Sequence, residues 1–244
     1  MMHRRPRLLA RLAVVLTLGL LPLSGATRAP IVRTSVASGG VVATPLSRRA
    51  AEREREKADV RRRLAERGSG TYINEMLAER DSALARWPDR GGRPLTIWIQ
   101  PMATIDDWTD GYLTSVRAAV GDWDGLDLPV HFAFTNDSAR ADVHVTFIDQ
   151  FEEAISGRTK WERDDNWWIT NADIVLAVHH RAGPALDEDS MRALALHEFG
   201  HLLGLDHTED ATSIMAARVR VRNLSSADRA TVRLLYTLPP GGVR

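Results

Sequence analysis

The stretch from His197 to His207 constrains this chain more than any other. It reads H-E-F-G-H-L-L-G-L-D-H. His197 and His201 are four positions apart, so on a helix they stand about 40° apart around the axis and one turn apart along it. Their imidazoles can converge on one ion. Glu198 lies next to that face, within reach of a water on the metal. His207 cannot join along a continued helix, where it would stand about 15 Å from His197. A zinc–nitrogen bond is only about 2.0–2.1 Å long. The chain must therefore turn, and Gly204 is placed for this, because glycine accepts the left-handed conformation that ends helices. Three protein ligands leave a fourth position for water, the pattern of a catalytic rather than a structural zinc site. Glu198 would be superfluous at a structural site.

The chain has no cysteine. Any zinc is therefore held by histidines and carboxylates, and no disulfide can staple the fold. The N-terminus reads as an export signal. Arg-rich MMHRRPRLLAR precedes apolar LAVVLTLGLLPL, and Ser24-Gly25-Ala26 offers small residues for cleavage. The apolar stretch is shorter than the roughly 18 residues that span a bilayer. We expect a signal peptide at 1–26 and a secreted or cell-envelope location, with no stable membrane insertion after cleavage. Basic and acidic side chains number 32 each, and four of the arginines fall within residues 1–26, which contain no acid. The remainder is mildly acidic, which argues against a nucleic-acid partner that would need a basic face.

Residues 27–93 read as a linker and charged helical segment: a removable prosegment, a spacer, or part of the folded unit. Within it, 27–46 lacks helical periodicity. Residues 47–67 form a solvated helix ended by Gly68-Ser69-Gly70. Residues 71–86 are expected as a helix with Ile73, Met76, Leu77 and Leu84 near one face, broken by Trp87-Pro88 and Gly91-Gly92. An α+β domain is expected over 94–240. Leu95, Ile97 and Ile99 alternate as a half-buried strand. A helix over 109–124 presents Tyr112, Val116, Ala119, Val120 and Trp123 on one side. Three strands follow, marked by Val130, Phe132 and Phe134, then Val143, Val145 and Phe147, then Ile174, Leu176 and Val178. Between the last two lies a polar stretch, 157–171, with Trp161, Trp167 and Trp168. A helix runs from Asp187–Asp189 to about Leu203. A final helix starts at Ser225, with Asp228 three positions on as a capping-box partner.

The stretch 190–215 resembles the metzincin metallopeptidases and, within them, the matrixins. H-E-F-G-H-L-L-G-L-D-H-T is close to the matrixin zinc signature, including Asp206 before the third histidine. Met215 follows His207 by eight residues, as at the family's Met-turn. The order of elements over about 94–237 is also similar. The resemblance implies a twisted, mostly parallel sheet with an active-site helix, a Met-turn and a C-terminal helix. It implies a secreted, monomeric zinc-dependent endopeptidase acting on a protein or peptide substrate. One zinc ion, held by His197, His201 and His207, would activate a water, with Glu198 as general base. Gly204 would make the turn, and Met215 would form an apolar floor beneath the histidines. Calcium sites also follow from the resemblance, although no Asp-rich loop has a recognisable pattern. Two family traits are absent. There is no cysteine for thiol latency, and Ala216-Ala217 stand where matrixins usually have Tyr-Pro.

Two other classes fit the motif: a zinc-binding envelope module without activity, and a maturation protease dedicated to one partner. Some side chains carry two readings. Arg218, Arg220 and Arg222 either shape the specificity pocket, one of them favouring acidic side chains, or face solvent. Trp167 and Trp168 line the cleft rim or cover the sheet edge. Asp206 reads as helix-end structure rather than a ligand. His131 and His144 would meet if their strands were neighbours, and His179-His180 stand at a strand end.

Overall fold

The computed structural model describes residues 45–243, apart from Asp81 and Ala182. The expected signal peptide and residues 27–44 of the expected linker lie outside the described residues. Helix α1 (Pro45–Arg67) is the charged, largely solvated helix foreseen from its composition. Its anchor is the buried Val60. Arg61 and Arg63 reach the carbonyls of Val243 and Thr237, at 3.2 and 3.0 Å.

Helix α2 (Ile73–Glu79) buries Ile73, Met76 and Leu77. It ends earlier than the apolar spacing suggests. Ser82 adopts a left-handed φ of 63°, which a helix cannot continue through. Leu84 therefore lies not on that helix but in strand β1 (Ala83–Leu84). The spacing identified a buried residue but assigned it to the wrong element.

Strand β2 (Leu95–Ile99), helix α3 (Gly111–Asp124), strand β3 (Phe132–Phe134) and strand β4 (Val143–Ile148) follow much as expected. Strand β5 (Gly157–Arg163) was not foreseen. It occupies the first half of the polar stretch; a turn over 164–168 follows, and strand β6 (Ile169–Ala177) begins at the end of the stretch. Four strands, not three, thus separate α3 from helix α4 (Glu188–Leu202). Strand β5 escaped detection because it is an edge strand whose two faces are both partly exposed, so it shows no apolar alternation. Helix α5 (Ser226–Thr237) begins with the capping box between Ser225 and Asp228. Strand β7 (Gly241–Gly242) then pairs antiparallel with β1.

The main sheet has the order β3-β2-β4-β6-β5. All its pairings are parallel except β5 with β6. The chain thus has the expected α+β class with a mostly parallel sheet. One sheet face carries Leu95, Ile97, Val143, Val145, Ile174 and Leu176, all fully buried. It shares a core with α3, through Val116, Ala119 and Trp123, and with α4, through Met191, Leu196 and Phe199. Residues 72–87 enter the same core through Tyr72, Ile73, Met76, Leu84 and Trp87. The packed unit thus includes chain that the sequence reading placed ahead of residue 94.

Trp87 is 2% exposed, and its Nε1–H donates to the Leu202 carbonyl at the end of α4, at 2.8 Å. Trp87→Phe leaves that buried helix-end carbonyl without its donor. The expected loss is about 1–3 kcal/mol of folding stability, measured by urea denaturation.

Candidate metal centre

Helix α4 is buried along most of its length, so its side chains are held by packing on several sides. Asp187 caps it, accepting from Ser190 N–H at 2.6 Å. Trp123 Nε1–H donates to the Leu196 carbonyl at 2.9 Å, one residue before the first histidine. Gly200 faces Met215. A Cβ at Gly200 would lie 2.2 Å from the Met215 sulfur, so the glycine is what lets the methionine pass beneath the helix. Met215 is fully buried there.

The turn after α4 forms at Gly204, whose φ is +97°. A Cβ there would meet the Ala85 carbonyl oxygen at 2.1 Å. Both the backbone conformation and the close neighbour require glycine. Leu205 N–H returns to the Gly200 carbonyl at 3.0 Å, which closes the turn and swings His207 back towards the helix.

The three histidines meet. The His201 Nε2 atom lies 3.1 Å from that of His197 and 3.2 Å from that of His207. His197 Nδ1 donates to the Ile214 carbonyl at 2.7 Å, and His201 Nδ1 donates to the Leu205 carbonyl at 3.0 Å. Carbonyls only accept, so both rings carry their proton on Nδ1 and present a bare lone pair at Nε2. Burial pulls His197 down to about 4. Burial, aided by the neighbouring His197, pulls His201 down to about 3. Neither ring takes up a second proton at neutral pH. Lone pairs pointing at one another at this distance repel, and a cation relieves the conflict. Tetrahedral zinc with bonds of about 2.0–2.1 Å spaces its nitrogens roughly 3.3 Å apart. The donor set and spacing therefore fit the ion. Among the described residues, these three histidines form the one group of metal-ligating side chains that meets in this way.

The carbonyl that holds His197 is itself held. Asp228, fully buried, accepts from Ile214 N–H at 3.1 Å and from the Ser213 hydroxyl at 2.5 Å. It also accepts from Ser225 N–H at 2.7 Å and the Tyr72 hydroxyl at 3.2 Å. The capping residue of α5 is thus also the anchor of the Met-turn.

Glu198 is 4% exposed. Burial pushes its carboxyl up to about 7, against the lowering effect of the Thr159 hydroxyl. That hydroxyl lies 2.6 Å from Glu198 Oε2 and 3.0 Å from its backbone oxygen. Thr159 was not picked out from sequence because β5 was not. The histidines and Glu198 open onto a cleft of about 1600 Å³. One side of the cleft is β5, the open edge of the sheet, and the other is the segment Ala217–Arg222.

Val219 and Val221 pack against the core, while Arg218, Arg220 and Arg222 are exposed along the cleft. Arg222 is paired with Asp189 at 2.6 Å. Trp161, not Trp167 or Trp168, lines the cleft. Arg163 and Arg86 instead stack on Trp167 and Trp168, at 3.7 and 4.6 Å. His131 and His144 do not meet, because β2 lies between their strands. His179 sits between Asp149 and Asp107, and His180 against Ser156, apart from the triad. Asp206 is not at the ion position but paired with Arg80, a residue the sequence reading did not single out.

This arrangement defines a class: a mixed sheet backed by helices, with three histidines that could hold a metal and a buried carboxylate beside them. Comparison with known proteins leads to the same place. The family model for matrixins, peptidase family M10, matches residues 109–237, more than half of the chain. The chain belongs to the matrixin family. It is 32% identical over 88 residues to Metalloendoproteinase 1 of Glycine max, covering 34% of this chain and 27% of that protein. It is 26% identical over 178 residues to Metalloendoproteinase 5-MMP of Arabidopsis thaliana, covering 64% of this chain and 47% of that protein. It thus spans less than half the length of these curated relatives. Two solved structures of myroilysin are 14% identical and cover 62% of this chain, and 95% and 86% of theirs, with TM-scores of 0.42 and 0.43.

Gly204→Ala adds a strained backbone, costing about 1–3 kcal/mol. It also overpacks against Ala85, costing about 1–3 kcal/mol more. The variant is expected to lose at least about 2 kcal/mol of metal-free stability in urea denaturation and to bind zinc more weakly in chelator competition.

Proposed function

We propose that this chain is a secreted zinc endopeptidase that hydrolyses peptide bonds in protein or peptide substrates. His197, His201 and His207 hold the ion and Glu198 acts as general base. The observation that carries this reading is the convergence of three imidazole nitrogens beside a buried carboxylate, at the floor of an open cleft. Among the described residues, no helix is long and apolar enough to cross a membrane.

Held by His197, His201 and His207, a zinc ion would supply Lewis acidity to the scissile carbonyl and to a water. The protein's part is positional. The Thr159 hydroxyl holds Glu198 Oε2 and leaves Oε1 to take a proton from the attacking water and pass it to the departing amine. The Ile214 and Leu205 carbonyls fix the tautomers and ring planes of His197 and His201. The open edge of β5 offers unpaired backbone groups to an extended substrate, which lies along it as an added strand.

Glu198→Gln keeps the shape of the side chain and removes the base. The variant is expected to bind zinc in the wild-type ratio while peptide cleavage falls by about 10²–10⁴-fold. Elemental analysis and a casein or peptide-library assay measure the two. Cleavage that survives in the zinc-loaded variant would overturn this assignment. Removing the metal with a chelator is expected to abolish cleavage and lower the thermal midpoint. Zinc at 100 times its dissociation constant restores about 2.7 kcal/mol of stability.

A further inference from the structure

We propose that Arg80 is a positioning residue for the metal centre, and that residues 72–87 are a working part of that centre rather than a removable leader. This rests on the reading that the three histidines hold zinc. Arg80 follows α2, outside the residues that match the matrixin family. Its guanidinium faces the turn that returns His207 to the site. Nη1 donates to the Gly204 carbonyl at 3.0 Å and Nη2 to the Leu205 carbonyl at 3.3 Å. Nε lies 2.5 Å from Asp206 Oδ2. The Trp161 ring covers the group at 5.3 Å from its centroid. Arg80 is 16% exposed and Asp206 18%.

These contacts lead to two of the three ligands. The Leu205 carbonyl that Arg80 holds is the one that accepts from His201 Nδ1. The Asp206 carboxylate that Arg80 holds also accepts from the His207 backbone N–H, at 3.2 Å through Oδ1. Arg80 therefore fixes one ring's hydrogen-bond acceptor and the backbone of the other. The carbonyls at 204 and 205 follow the C-terminal end of a helix, where partial negative charge collects, and Asp206 adds a full one. A planar fork of donors satisfies all three acceptors at once; a lysine ammonium cannot match that geometry.

The neighbouring contacts act in the same direction. Glu75 accepts from the Thr208 hydroxyl at 2.8 Å and from Glu209 N–H at 3.0 Å. Trp87 holds the Leu202 carbonyl, and the Ala85 carbonyl packs into the space left by the missing Cβ of Gly204. The stretch from 72 to 87 thus grips the turn before, within and after its glycine.

The test uses the full chain with Arg80→Met, Arg80→Lys and Asp206→Asn. Three properties are read: zinc affinity by chelator competition, the visible spectrum of the cobalt(II)-loaded protein, and the thermal midpoint without metal. Arg80→Met is expected to weaken zinc binding by about 10–100-fold, the usual effect of losing a partner that orients a ligand. Its cobalt spectrum should shift, while the metal-free midpoint stays within a few degrees of wild type. Arg80→Lys should recover only part of the affinity. The double variant with Asp206→Asn should lose less than the two single losses combined. If Arg80→Met does not fold without metal, Asp206→Asn alone decides, with the same loss of affinity expected. Zinc affinity within twofold of wild type in both Arg80→Met and Asp206→Asn overturns the proposal. So does an active, zinc-loaded form of the protein whose chain begins beyond Arg80. Failure of the wild type to bind zinc would instead overturn the metal assignment.

Discussion

Everything at this site depends on an electrostatic conflict. Three imidazole nitrogens are pressed together, with 3.1 and 3.2 Å between neighbours, and in two of them the lone pair is known to point inward. Left alone, such rings would rotate apart or take up protons. Burial denies His197 and His201 the protons, and the Ile214 and Leu205 carbonyls deny the same two rings the rotation. The buried helix α4, the Met-turn and the glycine turn are the walls that impose this arrangement. Each wall is backed by a second support: Trp123 behind α4, Asp228 behind the Met-turn, and Arg80 behind the glycine turn.

With no cysteine in the chain, these supports are non-covalent, and several are polar groups buried in a nonpolar setting. Such groups are costly when unpartnered and rigid when fully bonded. Asp228 is the fullest case: four donors from three parts of the chain reach one carboxylate. It ties α5, the Met-turn and the beginning of α2 together without a disulfide. Among the described residues, Trp108 Nε1 is a buried side-chain polar atom without a hydrogen-bond partner.

The convergence of the three histidines was legible in the sequence because their spacing is set by local geometry. A helix dictates the relation of His197 to His201, and the length from His201 to His207 forces a turn that Gly204 alone can make. The buried faces of α3 and α5 were legible for the same reason, through periodicity. Strand β5 was not, because an edge strand bordering a cleft shows neither alternation nor a continuous apolar run, and Thr159 was lost with it. Arg80, Glu75 and Trp87 were illegible for another reason. Their partners lie more than a hundred residues away, and nothing local distinguishes a half-buried arginine from the solvated arginines of α1. Asp228 was read correctly as a cap, yet its second task depends on contacts that no short-range pattern reveals.

The pairing of β1 with β7 places the metal centre inside a long loop closure. Tyr72 N–H meets the Thr231 hydroxyl across 159 residues of sequence. Contacts of such separation form late, because the entropy of closing the loop opposes them until the elements between have folded. A ribosome that has already delivered His197, His201 and His207 has not yet delivered Asp228 or the strand that secures β1. The emerging chain therefore carries all three histidines before it has the frame that aligns them. Synthesis order thus delays assembly of the three-histidine cluster until Asp228 and β7 have been made.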